Sequence, residues 1–310
     1  MTAPAVHDCP FCHGAGCPHC GGGEVDDREI YKAPTARGLY DGIDEAVYHG
    51  DRNSLSSSGA RKLLPPYTPA SFRWMQDNPR EEKDYFDVGH AAHSLVLGVG
   101  APIHEVRHDD WRSKAAKEER AECYDDGLTP LLTVDYQAVR AMAAAVRSHP
   151  LAAALLAHGV AEQSGYHRDP GTDVMLRFRP DWITETRDGR RLIVDYKTSR
   201  SADPRLFVAS AAKFGYHQQH PWYTEGLQAV LELEYEPDLL FIVQDKNPPY
   251  LVSVVGLEGH DIERGRDLNR RAIDIYAECV ATGEWPGHPN EIHYLSLPKW
   301  SAYQDEESLA

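Results

Sequence analysis

The chain of 310 residues has no apolar run of about 18 or more residues, the length that a membrane-spanning helix requires. It shows no basic and apolar leader ending in small residues, so neither a membrane span nor export is suggested and a cytoplasmic location is the expectation. Basic residues are scarce: 32 Lys and Arg stand against 48 Asp and Glu, a formal charge of −16. That balance argues against a protein that holds nucleic acid by bulk electrostatics. No internal repeat is present, which sets aside a solenoid. Beyond residue 20, cysteine is limited to Cys123 and Cys279.

The other four cysteines crowd into "CPFCHGAGCPHC" as Cys9, Cys12, Cys17 and Cys20. In a cytosolic chain two such knuckles read as a structural zinc clip, because four thiolates can close a tetrahedron around the ion. The four-residue spacer is short, but Gly14 and Gly16 let it turn tightly. A redox-sensitive tail and an iron–sulfur cluster are the alternatives.

With 42% hydrophobic residues the chain can build a substantial core. The expected organisation is a four-cysteine zinc knuckle at 1–24, a Gly- and Asp-rich linker at 25–50, one catalytic domain at 51–300 and an acidic tail at 301–310. Helices are expected behind Ser56 or Ser57, behind Thr68–Pro69, through "VGHAAHSLVLG", from Asp135 to Pro150, over "LAAALLAHG", from Asp203, after Gly215 and over 260–282. Three strands are expected at about 161–168, 173–184 and 191–197, and two more flank Asn247-Pro248-Pro249. The charged segment 104–130 has no clear period and reads as a surface excursion.

The informative stretch is "RPDWITETRDGRRLIVDYKTS", where Asp181, Asp195 and Lys197 interrupt strands otherwise suited to a core. It also lies in the locally basic part of the chain: residues 171–220 hold 9 bases and 6 acids, whereas 221–310 hold 6 bases and 17 acids. Alternation puts Ile193, Asp195 and Lys197 on one face of a strand, with Asp195 and Lys197 about 6.6 Å apart along it. A two-residue loop at Asp188-Gly189 would oppose Trp182 to Asp195. A three-residue loop, Arg187 to Gly189 with Gly189 left-handed, opposes Asp181 to Asp195 instead; that loop, or a bulge beside Pro180 where proline cannot complete the ladder, is the expected arrangement. Two neighbouring carboxylates repel unless a cation lies between them. A hard ion such as Mg²⁺, with Mn²⁺ as a substitute, fits that role and makes a bound water nucleophilic, while Lys197 orients or deprotonates that water or stabilises a phosphate oxygen. Hydrolysis of a phosphodiester is the chemistry this supports.

Pro180-Asp181, thirteen residues, then Asp195-Tyr196-Lys197 resembles the PD-(D/E)xK nuclease signature on an α/β core of helix, three-strand antiparallel meander, helix and strand. More specifically, "LSSSGARKLLPPYTPASFRW", "FDVGHAAHSLVLG", "AEQSGYHRD", "LRFRPDW", "IVDYKTS" and "GYHQQHPWYTEGL" occur in the order found in phage RecE-type exonucleases, the exodeoxyribonuclease VIII family. The likeness spans roughly residues 50 to 280 and leaves out the cysteine clip. It implies that His93 joins Asp181 and Asp195 as a metal ligand, and that Glu162 matches a further acidic position. It also implies that Gln219 and Tyr223, four residues apart on one helical face, reach the site or the DNA. By the residues alone, a satisfied core histidine, an exposed strand-end glutamate and ordinary helix packing explain the same positions. Pro221 suggests that this helix starts close to Gln218 or Gln219. Arg61, Arg177, Arg179 and Arg191 are candidate phosphate contacts, together with Lys62, Arg187 and Arg190. A solvated hairpin face accounts equally for several of them.

The resemblance further implies a 5′-to-3′ exonuclease acting on double-stranded DNA ends, a RecT-like single-strand annealing partner, a homo-oligomeric ring and a bacterial cytoplasm. A PD-(D/E)xK endonuclease of repair or restriction and a non-catalytic, zinc-clipped adaptor are the competing readings. For the clip, the expectation is roughly one zinc per chain. Metal analysis before and after dialysis against a chelator checks it, and a metal-free protein as isolated contradicts it.

Overall fold

The computed structural model describes residues 33–78, 87–298, 300–301 and 308. The zinc-knuckle expectation for Cys9, Cys12, Cys17 and Cys20 therefore lies outside the described residues, as does most of the acidic tail. The described elements begin with β1 (Gly38–Tyr40), α1 (Glu45–Gly50), β2 (Leu55–Ser56), α2 (Ser57–Arg61), α3 (Pro69–Asp77), α4 (Asp87–Leu97), β3 (Ile103–Val106), α5 (Lys114–Asp125), β4 (Thr129–Leu132), α6 (Thr133–Ser148) and α7 (Pro150–Leu155). They continue with β5 (Val160–Ala161), β6 (Ser164–Arg168), β7 (Met175–Phe178), β8 (Trp182–Glu185), β9 (Arg191–Ser199), α8 (Pro204–Phe214), α9 (Tyr216–Leu231), β10 (Asp238–Asp245), β11 (Val252–Val255) and α10 (Gly259–Thr282).

A mixed five-stranded sheet in the order β11-β10-β9-β8-β5 carries the site. Strand β9 is antiparallel to β8 and parallel to β10, so α8 and α9 form the crossover between two buried neighbours. Alternation along β9 divides the core as the sequence pattern requires. Ile193 packs with Leu239, Phe241, Phe207, Leu227 and Ile273 on one side. Leu192, Val194 and Tyr196 pack with Ala91, Ala92, Val139 and Met142 on the other. The sheet is thus covered by α8, α9 and α10 on one face and by α4, α6 and α7 on the other, which explains why β9 is apolar at nearly every position.

The three-strand meander departs from expectation. The strand expected at 173–184 is two strands, β7 and β8, in different sheets: β7 belongs to a four-stranded sheet of order β1-β6-β7-β2. Between them lie Arg179, Pro180 and Asp181, and proline has no N–H to continue a ladder. Residues 25–50, expected as a linker, already contain β1, which pairs with β6 from Gly38↔Tyr166 to Tyr40↔Ser164. The domain therefore starts before residue 51. The supposed excursion at 104–130 contains α5 and a small parallel pair of strands, β3 and β4, in register from Ile103↔Thr129 to Val106↔Leu132. Strands as short as these leave too few positions for a period to show.

Caps explain most helix boundaries. Ser56 accepts from the Gly59 N–H, Thr68 and Ser71 form a reciprocal capping box before Pro69, and Asp203 caps α8 ahead of Pro204. Asp135 is a first-turn residue of α6 and not its cap, and Pro150 opens α7 as well as ending α6. Helix α9 begins at Tyr216, earlier than Pro221 suggested, so the proline sits inside it. Proline at 221 leaves the carbonyl of His217 without its helical partner. Gly265 of α10 lies against that carbonyl, so closely that a Cβ there would stand 1.7 Å from the His217 oxygen. Next to it, Asn269 Nδ2 donates to the Gln218 carbonyl at 2.8 Å. No helix of the described residues is long and apolar enough to cross a membrane.

Because the obstacle at Gly265 is backbone, Gly265→Ala must push α9 and α10 apart. It is expected to lower the unfolding free energy by about 3 kcal/mol. Chemical denaturation checks this, through a lower midpoint at unchanged slope.

Candidate active site

The hairpin joining β8 to β9 sets the register of the site. Gly189 adopts a left-handed φ of 81°, the Gly189 N–H donates to the Thr186 carbonyl at 2.9 Å, and the Thr186 N–H donates to the Arg190 carbonyl at 2.8 Å. Arg187, Asp188 and Gly189 thus form the three-residue loop that parity demanded. The ladder runs Glu185↔Arg191, Thr184↔Leu192, Ile183↔Ile193 and Trp182↔Val194. One step further along this register, Asp181 stands opposite Asp195.

Asp195 is 1% exposed. Its Oδ1 accepts from Gln219 Nε2 at 2.7 Å, and its Oδ2 forms an ion pair with the Lys197 ammonium without meeting hydrogen-bond geometry. Burial, and then the charge of Asp181, push the Asp195 carboxyl above the usual carboxylate range, against the pull of Lys197 and His93. Asp181 is shifted the other way. Burial opposes ionisation, but the charge and hydrogen bond of His93, the charge of Lys197 and the Tyr196 N–H outweigh it, and its pKa falls. That N–H donates to Asp181 Oδ2 at 2.7 Å. Two carboxyl groups in related positions with pKa values driven apart are the electrostatic mark of a functional pair.

His93 projects from α4 between two acids, with Nε2 3.1 Å from Asp181 Oδ1 and Nδ1 3.4 Å from Glu162 Oε1. Burial pulls its pKa down, yet the charge and hydrogen bond of Asp181, with Glu162 and Asp195, outweigh it and raise the value. The imidazole thus stands between two acids, where a positive charge is favoured. Glu162 sits at a left-handed φ of 51°, uncommon for a residue with a side chain, and its N–H donates to the Asp181 carbonyl at 3.1 Å. The expected metal ligands are thus neighbours. As they stand, however, they are paired with His93, Lys197 and Gln219, and among the described residues no three His, Cys, Asp or Glu side chains form a ready metal cage.

Lys197 is held cationic: burial disfavours its charge, but Asp195 and Asp181 outweigh burial and raise its pKa. Tyr223 follows Gln219 by one turn of α9, and burial raises the Tyr223 phenol. The two residues line a cleft of about 540 Å³ together with His93, Glu162, Asp181 and Arg61. Asp195 and Lys197 are not on its wall.

The candidate phosphate contacts separate into different roles. Arg61 faces the cleft, donating to Ser57 Oγ at 3.1 Å, and its charge acts on Asp195 and Tyr223. Its stem passes Gly215, where a Cβ would meet Arg61 Cδ at 2.4 Å. Arg177, by contrast, is 6% exposed. It donates to the Asp51 carbonyl at 3.0 Å and to the Ser54 carbonyl and hydroxyl, so it clamps β7 to the loop before β2 and is not available to DNA. Arg179 reaches the cleft wall, though its guanidinium is spent on Ser164 Oγ and the Ile43 carbonyl, both at 2.8 Å, over the Tyr48 ring. Arg191 pairs with Glu185 at 2.7 Å at the far end of β9, four residues from Asp195 and away from the cleft. A basic run on a hairpin gives no sign of which members point inward, because facing depends on register and packing. Two residues were missed. His90 lines the cleft one turn before His93, and Tyr216 lies beside Lys197. The i, i+3 spacing of the two histidines could have signalled the first; nothing local signals the second.

A family model described as a PDDEXK-like domain of unknown function (DUF3799) matches residues 70–298. The chain belongs to that family. Its core is accordingly the PD-(D/E)xK-like mixed α/β fold. The crystal structure of a "Putative exonuclease" from Eubacterium rectale superposes with a TM-score of 0.56 at 10% identity, covering 86% of this chain and 98% of that one. The crystal structure of SSO0001 gives a TM-score of only 0.31 at 9% identity, over 71% of this chain and 77% of its own. No curated protein sequence matches the chain.

The reassignment of Arg177 is testable without substrate. Arg177→Met leaves Asp51 and two Ser54 oxygens without their donor and is expected to cost about 3 kcal/mol of stability. Arg61→Met is expected to cost less than about 1 kcal/mol. Denaturation curves of both variants decide between a clamp and a dispensable surface cation.

Proposed function

We propose that the protein is a divalent-metal-dependent deoxyribonuclease that hydrolyses phosphodiester bonds, acting as an exonuclease on double-stranded ends. The observation that carries the reading is the register that opposes Asp181 to Asp195, with Lys197 two residues on. Structural strands have no use for a buried acid beside a half-buried acid and a half-buried amine, since withdrawing charge from water costs free energy unless it is compensated or used.

The donor set fits a hard cation. It is mostly carboxylate oxygen, one oxygen of Asp195 lacks a hydrogen bond, and the acids are paired with an imidazole and an ammonium where a metal's charge would fit. Asp181 and Asp195 would hold Mg²⁺, with Mn²⁺ able to replace it, and His93 and Glu162 would complete the shell. When bound, the ion supplies a more acidic water and neutralises phosphate charge. The chain's own residues do the rest. Lys197, held cationic, orients the attacking water and stabilises charge on the reacting oxygens, Gln219 fixes the orientation of Asp195, and Tyr223 and Arg61 line the approach of the phosphate backbone. A cleft with localised cations suits an acidic protein, because only the channel needs to attract DNA.

The finer reading follows the resemblance to RecE-type exonucleases: 5′-to-3′ polarity, a role in phage-type recombination beside a RecT-like annealing protein, a ring of identical subunits and a bacterial cytoplasm. The zinc clip would serve docking or stability.

Asp195→Asn is expected to reduce Mg²⁺-dependent degradation of linear duplex DNA by roughly 10³-fold while the protein remains folded. End-labelled linear duplex is expected to be consumed and a covalently closed circle left intact. Cutting of the circle would replace exonuclease by endonuclease, and full activity of the Asp195→Asn protein would remove this site from the reaction.

A further inference from the structure

Lys197 has a second neighbour besides Asp195. Its ammonium stands 5.0 Å from the centre of the Tyr216 ring, over the face. That ring is fixed from behind. It stacks on Phe241 at 5.4 Å and 27°, and on Phe207 at 5.7 Å and 27°. Phe241 is the β10 partner of Asp195 in the sheet register, and Phe207 belongs to the buried face of α8. Gly215, left-handed at φ 69°, ends α8 and starts α9 within one residue, which delivers Tyr216 to this position. The ring is therefore braced by aromatic side chains anchored in the core, with the amine over its face.

A lysine amine rides on four rotatable carbons and wanders unless it is held. Asp195 is an unreliable holder, because under the nuclease reading its charge is shared with a divalent cation that also repels the ammonium. An aromatic face attracts the ammonium through its quadrupole and does not compete for the cation. We infer that Tyr216 is a positioning residue for the reaction, its ring face keeping the Lys197 ammonium beside Asp195 whether or not Asp195 is engaged elsewhere. This rests on the nuclease reading for its consequence, though the contact exists independently of it. The hydroxyl is not required; the face is.

The test uses the full chain in three forms: wild type, Tyr216→Phe and Tyr216→Leu. In metal-free protein carrying lysine labelled with carbon-13 at Cε, the Lys197 ε-methylene signal, assigned by its loss in Lys197→Arg, is expected to be shifted upfield by the ring. The shift should persist in the Phe variant and vanish in the Leu variant. With Mg²⁺ and linear duplex, Tyr216→Leu is expected to lower kcat by about tenfold at unchanged KM, and Tyr216→Phe to stay within about twofold of wild type. Absence of the upfield shift in the wild type overturns the inference even if the Leu variant fails to fold. So does a Tyr216→Leu protein with wild-type kcat. A wild type that shows the shift but cleaves no DNA with Mg²⁺ or Mn²⁺ instead overturns the nuclease reading, and with it the catalytic consequence assigned to Tyr216.

Discussion

Everything at the site depends on a like-charge conflict that the backbone enforces. The three-residue turn ending in left-handed Gly189 sets β8 against β9 so that Asp181 and Asp195 oppose each other. A register slip of one residue would send one of them to the other side of the sheet. With both in place, a buried acid and a half-buried acid face each other and each makes the other's ionisation harder. The surroundings answer with positive charge and donors: His93 and a backbone N–H for Asp181, Lys197 and Gln219 for Asp195. The result is one acid with a lowered pKa and one with a raised pKa, held a strand apart.

The fold exists around that pair in a specific sense. Asp195 and Lys197 lie just beyond the end of the β8 ladder but still beside β10, with Asp195 sealed in the core and Lys197 partly open to solvent. His93 comes from a helix on one face of the sheet and Gln219 from a helix on the other face, and they serve Asp181 and Asp195 respectively, midway along β9. Pro180 ends one sheet and the next begins directly after Asp181, which leaves that acid at a strand end where it can turn toward His93. The Pro-Asp of the motif is thus a mechanical feature as well as a chemical one. Positive charge is concentrated in the same way. The arginines that looked alike in the hairpin serve as a buried clamp at 177, a tethered wall at 179 and an outward ion pair at 191, whereas Arg61, from a distant helix, faces the cleft.

Much of this was legible from residue order. The β8–β9 turn, the parity that opposes Asp181 to Asp195, the caps at Ser56, Thr68 and Asp203, and the helices of the second half follow from local rules, because turn geometry and capping are decided within a few residues. Other features were not legible. The break of the expected 173–184 strand into two sheets was foreshadowed only by Pro180. The start of α9 ahead of Pro221 depends on Gly265 and Asn269 of α10, some fifty residues on, which accommodate the freed carbonyls. The β1 strand was hidden in a segment of low periodicity because three residues cannot display a period.

By itself, the order of residues determined the chemistry that could occur: which acids, amine and imidazole exist, and the strand parity that makes two of the acids face each other, since those are properties of covalent spacing and pleat. Only the tertiary structure decided which of several equivalent-looking groups would take part. Burial, facing and the approach of α4, α9 and α10 are set by packing between segments far apart in the chain. No local pattern encodes that Tyr216 would lie beside Lys197 or that Arg177 would be sealed away from solvent.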